Sequence, residues 1–139
     1  MTNRAPARVL VVDDEPLQLD LCSRLMKQSG VSVVTASGPI QAISIVEEAS
    51  DKIDVAILDY NMPIMNGCVL AGRLRLVRPD LKIILYSGKM DIPQSEMSRV
   101  DVFIPKGDGM ARLIRQVLAE LRTHSRTAAK KLLTNSAKR

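Results

Sequence analysis

Apolar residues in this chain gather in short runs of strand length, and most of these runs end on a polar residue. Val9-Leu10-Val11-Val12 leads into Asp13-Asp14, Ile53–Leu58 into Asp59, Lys82–Tyr86 into Ser87 and Val102–Ile104 toward Lys106, while Val31–Ala36 is a further run. Unbroken aliphatic runs of this length predict strands buried on both faces. Between them the spacing becomes helical. Leu17, Leu21, Cys22, Leu25 and Met26 recur at helical intervals after Pro16 and stop at Gly30, and Ile40, Ile43, Val46 and Ala49 do so after Pro39. A third helix is predicted from about Gly67 toward Arg78, ending before Pro79 because proline disfavours the α conformation in the residue before it. From Ser87 to Asp101, Gly88, Pro93 and the scattered Met97 and Val100 carry little amphipathic period, so any fourth helix is short or irregular. Met110, Leu113, Ile114, Val117, Leu118 and Leu121 define a strong last helix. Five strand-then-helix units without internal repeats predict an α/β fold, a doubly wound parallel sheet with helices on both faces.

In such sheets ligands bind beyond the carboxyl ends of the strands, which is where the polar residues fall. Asp13, Asp14 and Asp59 would then meet with Ser87 and Lys106 at one edge. Adjacent acids in a loop are often simply solvated, but a third acid ending another strand makes a site. Three clustered carboxylates repel and invite a cation or a raised pKa. Mg²⁺ suits this inventory, because it keeps several waters and needs only one or two protein carboxylates beside phosphate oxygens. Aspartate can attack phosphorus to give an acyl phosphate. An ammonium and a metal would offset the charge of the moving phosphoryl group, with Lys106 as the ammonium. Ser87 could donate to a phosphoryl oxygen, with Gly88 leaving room beside it. Taken singly, Lys106 is an ordinary turn lysine and Ser87-Gly88 an ordinary turn dipeptide.

Composition narrows the reading. The 139 residues fit one domain, and 2% aromatic content leaves the core to Val, Ile, Leu, Ala and Met. No stretch is long enough to span a bilayer and the N-terminus has no apolar signal region, so a cytoplasmic protein is expected. Cys22 and Cys68 sit in apolar surroundings without metal-ligand spacing, which predicts buried, reduced thiols. Charge is uneven. All 15 acidic residues lie before residue 123, along with all but five of the 20 basic ones, so the net charge of +5 belongs to a tail carrying Arg126, Lys130, Lys131, Lys138 and Arg139. The expected organisation is an arm at 1–7, a domain at 8–122 and a basic tail or helix extension at 123–139.

Four segments in order carry a resemblance: Val11-Val12-Asp13-Asp14-Glu15-Pro16, then Ile57-Leu58-Asp59-Tyr60-Asn61-Met62-Pro63 with Asn66-Gly67, then Tyr86-Ser87-Gly88, then Ile104-Pro105-Lys106. Together they resemble the receiver domain of bacterial two-component response regulators, over about residues 8–122. The resemblance implies a flavodoxin-like sheet in the order 2-1-3-4-5. It implies that Asp59 accepts phosphate from a sensor histidine kinase or a phosphotransfer protein, and that the domain then switches its contacts with a downstream protein target. Mg²⁺ would be held by Asp13, Asp14, Asp59 and the backbone carbonyl of Asn61. Ser87 and Phe103 would form the switch, and Asn61 and Lys89 would tune the rate of phosphate loss. Such a protein is not a conventional enzyme, although it catalyses its own phosphorylation and slow autodephosphorylation. The family's usual proline after the lysine is displaced here, with Pro105 before Lys106 and Gly107 after it. The shortened segment between Ser87 and Phe103 also alters the face the family often uses for homodimers and partners.

Other readings are separable. The tail is too short for a helix-turn-helix and has no stacking aromatics, which favours a solvated extension over nucleic-acid contact. The chain reads as a stand-alone receiver, with a receiver fragment of a longer transcriptional regulator as the alternative. A phosphatase of the haloacid-dehalogenase type also uses an aspartate nucleophile and Mg²⁺. Such enzymes carry a second acid two residues on, where this chain has Asn61.

Overall fold

Arg8–Val12 forms β1, an interior strand of the sheet, and Val9 to Val12 are all buried, as a strand covered on both faces requires. The computed structural model describes residues 7–49 and 53–137, without the side chains of 124–132 and 134–137. After β1 come α1 (Pro16–Gln28), β2 (Ser32–Ala36), α2 (Pro39–Ala49), β3 (Val55–Leu58), α3 (Gly67–Val77), β4 (Lys82–Ser87), α4 (Gln94–Met97), β5 (Val102–Pro105) and α5 (Met110–Ala137). All four strand pairings are parallel, and the spatial order is β2-β1-β3-β4-β5. This is the doubly wound, flavodoxin-like arrangement expected from the sequence. Among the described residues no helix is long and apolar enough to cross a membrane.

The sheet divides the core into two layers. Leu10, Val12, Ala56, Leu58, Ile83 and Leu85 face Ala42, Val46, Cys68, Leu70, Ala71 and Leu74 of α2 and α3. Alternate residues, including Val9, Val11, Val55, Ile57, Ile84 and Ile104, face Cys22 and Met26 of α1 and Leu113 and Val117 of α5. Period-two alternation therefore survives inside strands that look uniformly apolar in sequence.

Two helical faces differ from expectation. Leu17 and Leu21 are exposed, at 85% and 47%, and α1 instead buries Cys22, Ser23 and Met26 with Leu19 packed beside them. On α2 Ile40 is exposed while Pro39, Ala42 and Val46 are buried. In both helices an apolar residue one turn from the true face imitates the stripe, because i and i+4 spacing fits two neighbouring faces. The fourth helix is indeed short, four residues with none buried. The last helix runs on to Ala137, through most of the tail segment. The N-terminal arm, Ala7 apart, and the tail's basic side chains lie outside the described residues.

Candidate functional site

The neighbouring strands β1 and β3 place two carboxylates side by side. Val12 lies in register with Leu58. Each ladder then extends by one residue, the Asp13 N–H donating to the Ala36 carbonyl at 3.2 Å and the Asp59 N–H to the Val12 carbonyl at 3.1 Å. Asp13 and Asp59 thus leave adjacent strands at the same carboxyl edge and are 7% and 8% exposed. Asp14 follows in the loop, partly exposed, and one oxygen from each of Asp13, Asp14 and Asp59 falls within 4.8 Å of the others.

On the other side of the edge, Ser87 closes β4 opposite Pro105, the last residue of β5. Lys106 comes next and opens a single 3-10 turn over Lys106–Asp108, closed by the Gly109 N–H on the Lys106 carbonyl at 3.1 Å. The lysine side chain reaches back across the sheet edge. Its Nζ lies 3.3 Å from Asp13 Oδ2 and 3.3 Å from Asp59 Oδ2. No cis peptide occurs among the described residues, so the Pro105-Lys106 order is accommodated with trans bonds.

Electrostatics show an excess of negative charge. Burial pushes the Asp59 carboxyl above its ordinary range; Lys106 pulls it back and Asp13 adds to the rise. Burial opposes the Lys106 ammonium, yet Asp59 and Asp13 hold its pKa above the ordinary value. The lysine is therefore charged, and it faces a cluster of three acidic side chains. The donor set fits a small hard dication. Asp13, Asp14 and Asp59 would hold Mg²⁺, which takes oxygen ligands and needs only one or two protein carboxylates beside water or phosphate oxygens. Asp14's exposure leaves room for water ligands. Burial, with Asp13 adding, pushes the Cys22 thiol up to about 12, so it stays protonated near the site.

The remaining residues singled out from sequence are placed less centrally. Ser87 is fully buried, and its Oγ accepts from the Lys89 N–H at 3.2 Å. Lys89 pairs with Asp91 at 3.2 Å and lies 5.9 Å above the Tyr60 ring. Asn61 is exposed and lines an open groove of about 340 Å³ with Asp14, Tyr60, Met62, Pro63 and Asn66. Phe103 is partly buried against the α2–α3 layer.

Three residues that lay within the four motif segments but carried no assigned role also shape the site. Gly67 lies against the Asp59 carbonyl, and a Cβ there would come within 2.2 Å of that oxygen. Asn66 caps α3, its Oδ1 accepting from the Cys68 and Val69 N–H groups at 2.9 Å each. Tyr60 donates its N–H to Asp59 Oδ1 at 2.8 Å and its hydroxyl to Glu96 of α4. Tyr60, Asn66 and Gly67 stood in the segments that carry the resemblance; nothing in the sequence marked Glu96.

A parallel sheet in this order, with an acid cluster and a lysine at its carboxyl edge, defines the class, and comparison names it. The chain belongs to the response regulator receiver domain family, whose profile matches residues 9–118. It is 31% identical over 114 residues, 80% of the chain, to the sensor kinase CckA of Brucella abortus, spanning 12% of that protein. The response regulator protein TrrA of Thermotoga maritima, solved in complex with Mg²⁺-BeF, superposes with a TM-score of 0.74 at 29% identity, over 81% of this chain and 97% of that one. A chain of the complex between histidine kinase ThkA and TrrA matches at a TM-score of 0.73 and 30% identity, over 82% of this chain and 97% of that one. The chain spans 12% of the length of CckA and 53% of that of response regulator MprA from a Mycobacterium species, to which it is 27% identical over 123 residues.

Proposed function

We propose that Asp59 accepts a phosphoryl group from the phosphohistidine of a sensor histidine kinase or phosphotransfer protein, and that the modified domain changes its protein contacts. The observation that carries this reading is the Lys106 ammonium shared at 3.3 Å between Asp13 and Asp59, with Asp14 completing the acid cluster. An Asp59 carboxylate oxygen attacks phosphorus while the bond to the donor's imidazole nitrogen breaks, and the leaving imidazole takes up a proton. Asp13, Asp14, Asp59 and the Asn61 carbonyl would hold Mg²⁺, which when bound offsets charge on the phosphoryl oxygens. Lys106 turns from the carboxylates to a phosphoryl oxygen, and Ser87 donates its hydroxyl to another. Phe103 follows the Ser87 movement by burying its ring. A cytoplasmic location goes with this reading.

Support comes from the family membership, from the acid cluster, and from the Mg²⁺-BeF complex of the similar TrrA. The ThkA–TrrA complex supports a histidine kinase as the partner class. Asn61, which lines the groove, and Lys89, whose N–H donates to Ser87 Oγ, would tune phosphate loss, so alanine at either position should change the phosphate lifetime. The primary test is incubation with a small acyl phosphate and Mg²⁺, followed by intact mass. A Mg²⁺-dependent adduct on wild type that is lost in Asp59→Asn is expected; no adduct on wild type would refute the proposal.

A further inference from the structure

Helix α4 has four residues, none fully buried, and its apolar packing is limited to Met97, with Ile92 and Val100 beside the helix, partly buried against the core. A polar network adds to it. Glu96 Oε1 accepts from the Tyr60 hydroxyl at 3.0 Å and from Asn66 Nδ2 at 3.1 Å, bonds that span 36 and 30 residues. Tyr60 is the residue after Asp59 and donates its N–H to Asp59 Oδ1 at 2.8 Å. Asn66 caps α3 through its Oδ1. Lys89, in the loop before α4, lies 5.9 Å above the Tyr60 ring and pairs with Asp91. The two loops flanking Asp59 are therefore tied together through a single carboxylate.

We propose that Glu96 is a positioning residue that latches α4 to Tyr60 and Asn66 in the unphosphorylated state, and that a phosphoryl group on Asp59 opens this latch. The inference rests on the phosphorylation of Asp59 proposed above. Phosphorylation replaces the −1 charge of the Asp59 carboxylate with a phosphoryl charge of about −1.5 to −2, a net gain of about −0.5 to −1 one residue from Tyr60. The Glu96 carboxylate, across the Tyr60 ring, is repelled by it, and Lys89 is drawn from the ring toward it. The repulsion acts directly against the Glu96 bonds that hold α4, and the Lys89 shift removes a cation from the Tyr60 ring that carries one of them. Phe103 has no hydroxyl, so Tyr60 supplies the polar link between this site and α4.

Coupling of this kind is reciprocal, so the factor by which the latch weakens binding of a phosphoryl mimic equals the factor by which the mimic loosens α4. The test uses the full chain with Mg²⁺ and beryllium fluoride, reading affinity by calorimetry and α4 by hydrogen exchange of residues 94–100. Glu96→Ala and Tyr60→Phe should speed α4 exchange without the mimic and raise its affinity at least about fivefold. Glu96→Gln keeps an oxygen for both bonds but drops the charge, so its exchange should stay slow and respond less to the mimic. A purely structural role would lower thermal stability and leave affinity unchanged. An adduct on wild type with wild-type affinity and exchange response in Glu96→Ala overturns the latch alone. Absence of both adduct and mimic binding on wild type overturns the phosphoacceptor reading and the latch with it.

Discussion

Gly67→Ala is the sharpest perturbation of the site that leaves every charged group in place. The new Cβ would sit 2.2 Å from the Asp59 carbonyl oxygen, 2.9 Å from its carbonyl carbon and 2.8 Å from Leu85 Cδ1. Real Cβ contacts essentially never fall below 3.0 Å, so the Asp59 backbone and the start of α3 must separate by about 0.8 Å. Leu85 is fully buried and cannot swing away, and the Gly67 N–H to Tyr60 carbonyl bond at 2.9 Å opposes the separation. Overpacking of this kind costs about 1–3 kcal/mol, and the rigid surroundings put the expected loss near 3 kcal/mol. In urea that is a midpoint roughly 2 M lower for a domain of this size. Because the shift falls on the backbone of Asp59 itself, phosphorylation by a small acyl phosphate should slow by about 100-fold. Both are measured on one preparation, by equilibrium unfolding and by intact mass against time. A Gly67→Ala protein with wild-type stability and wild-type adduct formation would refute the argument that this close approach positions the nucleophile.

Asp59→Asn should be more stable than wild type at neutral pH. The folded pKa of Asp59 is raised, so its ionised form opposes folding above that pKa, and this penalty vanishes below the unfolded value of about 3.9. Urea midpoints should therefore differ at pH 7 and converge toward pH 3. Mg²⁺ should stabilise wild type by about 1.4 kcal/mol at ten times its dissociation constant, and Asp14→Asn should weaken that response in thermal melts. Ile64 holds a φ of 78° with its side chain 80% exposed, so Ile64→Asn should gain about 0.5–1 kcal/mol by relieving left-handed strain without losing burial; an unchanged or lower midpoint would count against this. Asn66→Ala should cost about 1 kcal/mol in lost capping, whereas Asn66→Asp should keep the α3 cap and free α4 by placing a carboxylate against Glu96, which hydrogen exchange would separate.

Much of this protein is written locally along its chain. Unbroken runs such as Val9–Val12 and Val55–Leu58 specify strands buried on both faces, and the helical spacing between them specifies crossovers, so a parallel sheet follows from one-dimensional pattern. The acids, the serine and the lysine were legible because each ends a strand, and strand ends in such a sheet share an edge. Which face a helix buries was less legible. Leu17 and Ile40 satisfy the period yet point outward, since the sheet's twist and the neighbouring helices select among nearly equivalent stripes. Only the tertiary structure brought Lys106 to a shared position between Asp13 and Asp59, raised the Asp59 pKa by burial, pressed Gly67 against the Asp59 carbonyl, and set Glu96 on Tyr60 across 36 residues. Those are properties of distance and desolvation. They arise from the packing of segments remote in sequence, and no local pattern of residue types encodes them.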